Sequence, residues 1–335
     1  MESIHMPHFL TQALPGATGY GVVAALAALW LVLLYQRSRP KGLPFRLAVY
    51  PLVVLVWLAL FAQRDALNPG LREVVERATF MALAMWALLT GVWLLGTLLR
   101  NHSIMDIAYP LTPWAGTVLA WLQWGASRDP QVLLLLACCT AWAWRLSGYL
   151  AVRYLPHGEE ARYARWRERG GTSWWWWSYF QIYLTQGVLT WMWTWPLALA
   201  IGSDSGTSVW TWLALAAWAI GFAFESLGDL QMHRFRNNPA NKGQVMDRGL
   251  WAWCRHPNYF GEAMIWLAYG LFALATPWGG LGLPMVATVF WFMNRGSALS
   301  MTERYMLKTK PGYADYMART PAFFPRPPGR STPPD

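Results

Sequence analysis

The chain alternates long apolar runs with short polar segments from near its start to residue 293. An α-helix rises about 1.5 Å per residue, so roughly 20 apolar residues cross the hydrocarbon core of a bilayer. The pattern predicts an all-α, polytopic membrane helix bundle. Its nine predicted spans are Ala17 to Tyr35, Leu47 to Gln63, Ala78 to Leu99, Ile107 to Ala126, Val132 to Tyr154, Trp174 to Ile201, Val209 to Gly228, Tyr259 to Thr276 and Leu281 to Met293.

The composition supports a membrane protein. Hydrophobic residues make up 55% of the 335 residues, and charged residues only 13%, about half the share of an average soluble domain. The first span is too long for a cleaved signal peptide and lacks the basic leader of one. Cys138, Cys139 and Cys254 lie in or beside spans without metal-site spacing, so we expect neither a metal nor a disulfide framework.

The positive charge predicts an orientation. Lys and Arg concentrate in alternate segments, at residues 37–46, 153–169, 234–255 and 304–330, whereas the loops at 202–207 and 277–280 carry none. Because positive loops stay in the cytoplasm, we expect the amino terminus outside and the carboxyl terminus inside. The net charge of +10 can then meet anionic membrane lipids or an anionic cofactor. The basic residues flank spans and form no stripe on a soluble domain, which argues against nucleic acid.

A polar ladder continues the span that begins at Val209. Glu225, Asp229, His233 and Arg236 follow one another at intervals of four, four and three residues, which places them on one helical face. A helix that leaves the bilayer and pairs its charges on exposed turns would show the same pattern. Glu225 lies deeper than the expected interface, where a carboxylate needs a partner, and this favours a functional site.

A second polar cluster is GLWAWCRHPNYFGE, residues 249–262. Pro257 is suited to the first turn of a helix whose next turn presents Tyr259 and Glu262. The free N–H groups of that helix, close to Arg248, Arg255 and His256, predict an anion site that suits phosphate. A plain helix cap with interfacial His and Tyr side chains is the alternative interpretation.

A third group lies earlier in the chain. Arg145, Tyr149 and Arg153 have a spacing of four residues, so one face of their helix is polar well into the membrane. An arginine there needs an acidic partner or water, and Asp106 is a candidate partner. Asp106 is equally compatible with capping its own span.

These residues resemble the membrane steroid 5-alpha-reductases and their bacterial relatives. The matching stretches are FESLGDLQMHRFR, then GLWAWCRHPNYFGE, then ERYMLKTKPGYADYMARTPAFFP in the tail. The resemblance covers roughly the last seven spans. It divides the chain into extra amino-terminal helices at 1–76, a reductase-like membrane domain at 77–325 and a Pro-rich tail at 326–335.

The resemblance implies NADPH as the cofactor and transfer of its hydride to the β carbon of a conjugated enone. The expected substrate is a 3-oxo-4-ene steroid or sterol-like lipid that enters from the lipid phase, and the expected location is a bacterial inner membrane. Asp106, Arg145 and Tyr149 are the expected catalytic residues, with Asp106 and Tyr149 polarising the substrate carbonyl. The residues expected around NADPH are Glu225, Asp229, His233, Arg236, Lys242, Arg248, Arg255, His256, Asn258, Tyr259, Glu262 and Tyr305.

The chain departs from the reductase pattern at three positions. Glu225 stands where the animal enzymes have Asn, Met301 where they have a tail His, and Trp142 where they have the Tyr that meets the substrate carbonyl. These differences leave the expected cofactor unchanged and leave the substrate open.

Two other functions fit part of the pattern. Membrane methyltransferases that use S-adenosylmethionine share an R-H-P-x-Y-x-G block and a tail with the residue types of Glu303, Gly312, Tyr313, Tyr316, Arg319 and Pro321. Asp229, Arg236 and the NNPANKG segment favour the reductase, because a cofactor with two linked phosphates would use them. A transporter would need Arg145, Asp106 and Glu225 along a polar path. Most charged residues instead cluster near one face of the predicted bundle.

Overall fold

The computed structural model of the protein describes residues 45–204, 206–295 and 297–327. All regular elements in these ranges are helical, and no strand occurs among them. The helices form two compact units, Met1–Asp204 and Ser205–Asp335. The predicted span Ala17 to Tyr35 and the end of the tail, residues 328–335, lie outside the described residues.

Two long helices of the first unit begin at side-chain caps. Its α-helices are α1 Phe45–Ala62, α2 Pro69–Leu98, α3 Ile104–Ala108, α4 Leu111–Gln123, α5 Pro130–Tyr154, α6 Ala161–Gly170, α7 Trp174–Ser178, α8 Thr185–Trp193 and α9 Trp195–Ala200. The Asn68 side chain accepts from the Gly70 N–H at 3.0 Å and the Asp129 side chain from the Gln131 N–H at 2.9 Å. Each cap precedes a proline at the first helical position, where the missing N–H costs nothing.

Three described helices are long and apolar enough to cross a membrane, namely Pro69–Leu98, Pro130–His157 and Val209–Asn237. This agrees with a membrane protein. Because only three described helices have the required length and hydropathy, the predicted count of nine spans is not confirmed. Two predicted spans are interrupted. Pro110 separates α3 from α4, and a π-helical turn, Tyr179–Leu184, together with Pro196 divides the predicted span Trp174 to Ile201. The predicted domain boundary after residue 76 falls within α2 and stays a prediction.

The second unit positions most of the predicted cofactor residues. Its helices are α10 Val209–Asn237, α11 Pro257–Ala273, α12 Leu283–Arg295, α13 Ser297–Thr309 and α14 Tyr313–Arg319. Helices α10 and α11 pack along a glycine seam. A Cβ atom on Gly221 would lie 2.6 Å from the Gly261 carbonyl oxygen, and one on Gly261 would lie 2.5 Å from the Glu225 nitrogen. The seam therefore brings the two backbones into direct contact beside the polar ladder.

Candidate functional site

The polar ladder of α10 runs from buried to exposed side chains. Glu225 is 2% exposed and Asp229 5% exposed, whereas His233 is half-buried and Arg236 is exposed. Because α10 is one continuous helix from Val209 to Asn237, the four side chains share a face. The Asn237 side-chain amide lies 2.9 Å from His233 Nε2 and bonds it to the end of the helix.

The NNPANKG segment folds back over the last turn of α10. The Asn238 side chain accepts from the Ala240 N–H at 3.0 Å, which fixes the turn that leaves the helix. The Asn241 amide donates to the Phe235 carbonyl oxygen at 3.0 Å. Gly243 has φ +85°, a left-handed conformation that suits glycine. These contacts set the backbone of the segment.

A cavity of about 330 Å³ lies against this segment. Three of its lining residues are cations, none is acidic, and in the described part of the chain neither the Lys242 nor the Lys310 ammonium forms an ion pair. The resulting positive potential and the nearby amide groups suit a phosphate. The cavity is lined by Phe235, Arg236, Asn237, Asn238, Pro239, Asn241, Lys242, Gly243 and Lys310.

The loop before α11 is tied to α10 by two hydrogen bonds. The Leu250 N–H donates to the Gln231 side chain at 3.0 Å, and the Trp251 indole N–H donates to the Gly228 carbonyl oxygen at 3.0 Å. Gly249 has φ +59°, and a Cβ atom there would lie 2.7 Å from the Gln231 amide. The loop is therefore held against α10 at Gly228 and Gln231.

Arg255 and His256 connect this loop to the C-terminal helices. Arg255 Nε donates to Glu303 at 2.8 Å, and His256 Nε2 lies 3.2 Å from the same oxygen. Arg255 Nη1 also donates to the carbonyl oxygens of Met317, at 3.1 Å, and Thr320, at 2.5 Å. We call Arg255, His256 and Glu303, with these two carbonyl groups, the tail latch.

The tail latch gives its residues a role that the sequence did not suggest. Arg255 and His256 are expected from sequence to approach the cofactor phosphates, but they are 9% and 5% exposed and engage Glu303. Burial alone would raise the pKa of the Glu303 carboxyl, but the hydrogen bonds from His256 and Arg255 outweigh it and hold the pKa below its ordinary value. Glu303 is therefore ionised at neutral pH.

The remaining predicted cofactor residues lie on α11 or at the surface. Asn258, Tyr259 and Glu262 occupy the first two turns of α11 and are half-buried, and the Tyr259 ring stacks on that of His256 with centroids 5.3 Å apart. Arg248 is exposed beside the loop, and Tyr305 is 65% exposed on α13. The structure thus places Arg236 and Lys242 of the predicted set in the wall of the cavity.

The predicted catalytic residues lie in the first unit. Asp106, in α3, accepts hydrogen bonds from Tyr163 at 2.7 Å and from Arg162 at 2.8 Å, both in α6. Burial raises the pKa of the Asp106 carboxyl, against the opposing effects of the Arg162 charge and the Tyr163 hydrogen bond. Arg145 and Tyr149 are neighbours on α5, with the guanidinium carbon 5.8 Å from the centre of the tyrosine ring.

A second buried polar group lies near Asp106. The His102 ring contacts the Tyr183 hydroxyl at 2.9 Å, and the His102 backbone N–H donates to Glu159 at 3.0 Å. Burial lowers the pKa of His102 to about 4, and the positive charge of Arg167 adds to this effect. The imidazole is therefore neutral at physiological pH.

Sequence reasoning missed several residues of these groups. Lys310 and Asn241 line the cavity, and Arg162 and Tyr163 bind Asp106. Glu303, which the sequence linked only to the methyltransferase pattern, completes the tail latch. The asparagine was recognisable, because it belongs to the same NNPANKG segment as Lys242. No local pattern pairs Lys310 with Arg236. In the described part of the chain, no cluster of three His, Cys, Asp or Glu residues could hold a metal ion.

Comparison with known proteins places these features in a family. Residues 92–320 match a family described as protein of unknown function (DUF1295). The chain is also 26% identical over 263 residues to an uncharacterized protein of Schizosaccharomyces pombe, an alignment that covers 70% of this chain and 76% of the relative. The matched range 92–320 includes the cavity, the tail latch and Asp106.

Proposed function

Because the chain belongs to this family of proteins of unknown function, which is part of the steroid 5-alpha-reductase-like superfamily, we propose that it is an NADPH-dependent membrane enzyme. It reduces the C=C bond of a conjugated enone in a hydrophobic substrate, and we assign 3-oxo-4-ene steroids as the substrate class to be tested first. The cofactor site faces the cytoplasm, and the substrate enters from the lipid phase.

The cavity at the end of α10 is the observation that supports this proposal. Arg236, Lys242 and Lys310 line it without an acidic residue, and Arg and Lys side chains form charge-assisted hydrogen bonds with phosphate oxygens. NADPH carries three phosphate groups, whereas S-adenosylmethionine carries none. A cavity of about 330 Å³ has room for a phosphate and its sugar, so it would take one end of the dinucleotide.

The rest of the cofactor would lie along α10 and α11. Asp229 and Glu225 on α10, with Asn258, Tyr259 and Glu262 on α11, provide acceptors and donors for sugar hydroxyls and an amide. When bound, NADPH supplies the hydride. The residues of the chain bind and orient the cofactor, and the glycine seam at Gly221 and Gly261 excludes water between the two helices.

Asp106 keeps its proposed role as the acid that polarises the substrate carbonyl, together with Tyr149. Burial raises the pKa of the Asp106 carboxyl, against the opposing effects of Arg162 and Tyr163, and the proposed role requires the carboxyl to carry the proton that it donates to a carbonyl oxygen. Tyr163 and Arg162 hold the carboxyl in place at 2.7 and 2.8 Å. In the proposal these two residues orient the acid.

A methyltransferase that uses S-adenosylmethionine is the second candidate, and one observation favours it. The residue types shared with the membrane methyltransferases meet in the structure, since Arg255 and His256 bind Glu303 while the Tyr316 hydroxyl donates to the Trp251 carbonyl oxygen at 2.5 Å. That packing fixes the tail and does not identify a cofactor. The cationic cavity favours NADPH, because the sulfonium is itself positive.

Calorimetric titration of the full-length protein in detergent with NADPH, NADH and S-adenosylmethionine tests the proposal. We expect NADPH to bind and S-adenosylmethionine not to bind. Lys242→Ala should weaken NADPH binding about tenfold, through the loss of one charged hydrogen bond. Lys308→Ala is the control, because Lys308 is exposed and does not line the cavity. If S-adenosylmethionine binds and NADPH does not, the reductase assignment is wrong and the methyltransferase is favoured.

A further inference from the structure

We propose that Lys310 is a third phosphate-binding cation of the cavity, placed there by the C-terminal segment of the chain. This inference rests on the proposed function and adds to it a binding residue from outside the α10 ladder and the loop that follows it. The tail would then contribute to the ligand site in addition to holding the loop before α11.

The side chain of Lys310 lies in an environment that calls for an anion. Lys310 is half-buried and lines the same cavity as Arg236 and Lys242. In the described residues its ammonium has no carboxylate partner. Arg236 and Lys242 are exposed, and the three like charges around one small cavity repel one another. A bound phosphate relieves that repulsion.

The backbone around Lys310 is fixed from both sides. The Lys310 N–H donates to the Met306 carbonyl oxygen at 2.8 Å and ends α13. Glu303 lies two helical turns earlier on the same face of α13, where Arg255 holds it. After Lys310 the chain turns at Gly312, with φ +79°, into α14, where the Tyr316 hydroxyl donates to the Trp251 carbonyl oxygen.

These attachments explain how a distant lysine contributes to affinity. A lysine on a free tail would lose backbone and side-chain entropy on binding, whereas the backbone of Lys310 is already anchored in the fold. A phosphate in the cavity therefore contacts the end of α10, the loop after it and the start of the tail at the same time.

The test compares three variants of the full-length protein in detergent by calorimetry, with NADPH and with inorganic pyrophosphate. Lys310→Ala should weaken the binding of both by about tenfold, as expected for one charged contact. Lys310→Arg keeps the charge and should stay within about threefold of the wild type. Lys308→Ala should bind like the wild type. Unchanged melting temperatures in all variants will show that the fold is intact.

Each other outcome has a defined meaning. Wild-type affinity of Lys310→Ala for both ligands would overturn the inference, and so would an equal loss in Lys308→Ala. Pyrophosphate binding that depends on Lys310 without any NADPH binding would support the anion site and refute the proposed function. NADPH binding that is equal in the wild type and Lys310→Ala would support the proposed function and refute the role of Lys310. Loss of pyrophosphate binding in nanodiscs of phosphatidylglycerol, but not of phosphatidylcholine, would identify a lipid headgroup as the occupant and overturn the assignment to the cofactor.

Discussion

Replacement of Glu303 by Gln removes the negative charge at the centre of the tail latch. The carboxylate lies 2.8 Å from Arg255 Nε and 3.2 Å from His256 Nε2, and its side chain is 12% exposed. Removal of one partner of a buried ion pair costs about 3–5 kcal/mol. Arg255 keeps its carbonyl acceptors on Met317 and Thr320, and Gln keeps an acceptor oxygen. We therefore expect a smaller loss in the free energy of unfolding, about 2 kcal/mol.

Tryptophan fluorescence during heating measures this loss. If the second unit unfolds cooperatively, the Glu303→Gln variant should melt roughly 4–8 °C below the wild type at pH 7. Glu168→Gln is the matched control, because Glu168 is exposed and forms no ion pair in the described part of the chain. Its melting temperature should stay within about 2 °C of the wild type.

The wild type and Glu303→Gln should also differ in how their melting temperatures depend on pH. The pKa of Glu303 in the fold lies below the ordinary value of 4.5, so its ionised form stabilises the fold fully above pH 4.5. That stability is lost as the pH falls through the folded pKa. The gap between wild type and Glu303→Gln should stay constant from pH 7 to pH 5 and narrow below 4.5. An equal melting temperature at pH 7, or a gap that widens in acid, would refute the role assigned to the tail latch.

Three further predictions concern other parts of the chain. Gly261→Ala should lower the free energy of unfolding, measured in denaturant, by about 2 kcal/mol, because the new methyl group meets α10. Gly148→Ala is the control and should not lower it, because no atom lies within 4 Å of its new methyl group. Equal losses in the two variants would contradict the glycine seam. Since burial lowers the pKa of His102 to about 4 from 6.5, the neutral ring stabilises the fold above pH 6.5, and that stability should fall towards about pH 4. His102→Gln should remove this part of the pH dependence. If the melting temperature of His102→Gln varies with pH as that of the wild type does, His102 is not its source. Asp106→Asn should lower steroid-dependent oxidation of NADPH while leaving the NADPH dissociation constant unchanged, whereas an equal loss in both would make Asp106 a structural residue.

Features that depend on local spacing were predictable from the sequence. The one-sided ladder of α10 follows from residues three and four apart, and the structure has a single helix there from Val209 to Asn237. The start of α11 at Pro257 follows from the preference of proline for the first turn. Arg236 and Lys242 were expected near the cofactor through the resemblance to the reductases, and both line the cavity.

Features that depend on pairing between distant segments were not predictable. Arg255 is chemically suited to a phosphate or to a carboxylate, and only the folded tail shows that Glu303 lies within 2.8 Å. Arg162 looked like one of several cytoplasmic loop charges until α6 placed it against Asp106. The interruptions at Pro110 and at Tyr179–Leu184 were also missed, because hydropathy stays high through both segments.

Assembly of the loop before α11 must wait until the ribosome has synthesised α14 and Thr320. The carbonyl acceptors of Arg255 lie 62 and 65 residues further along the chain, so the ribosome completes α11, α12 and α13 before they exist. Until then the Arg255 guanidinium, which is buried in the finished fold, remains exposed to solvent or to lipid headgroups. A nascent chain that is stalled or truncated before residue 320 should therefore present an unfinished loop to quality-control proteases, even when its membrane helices are already inserted.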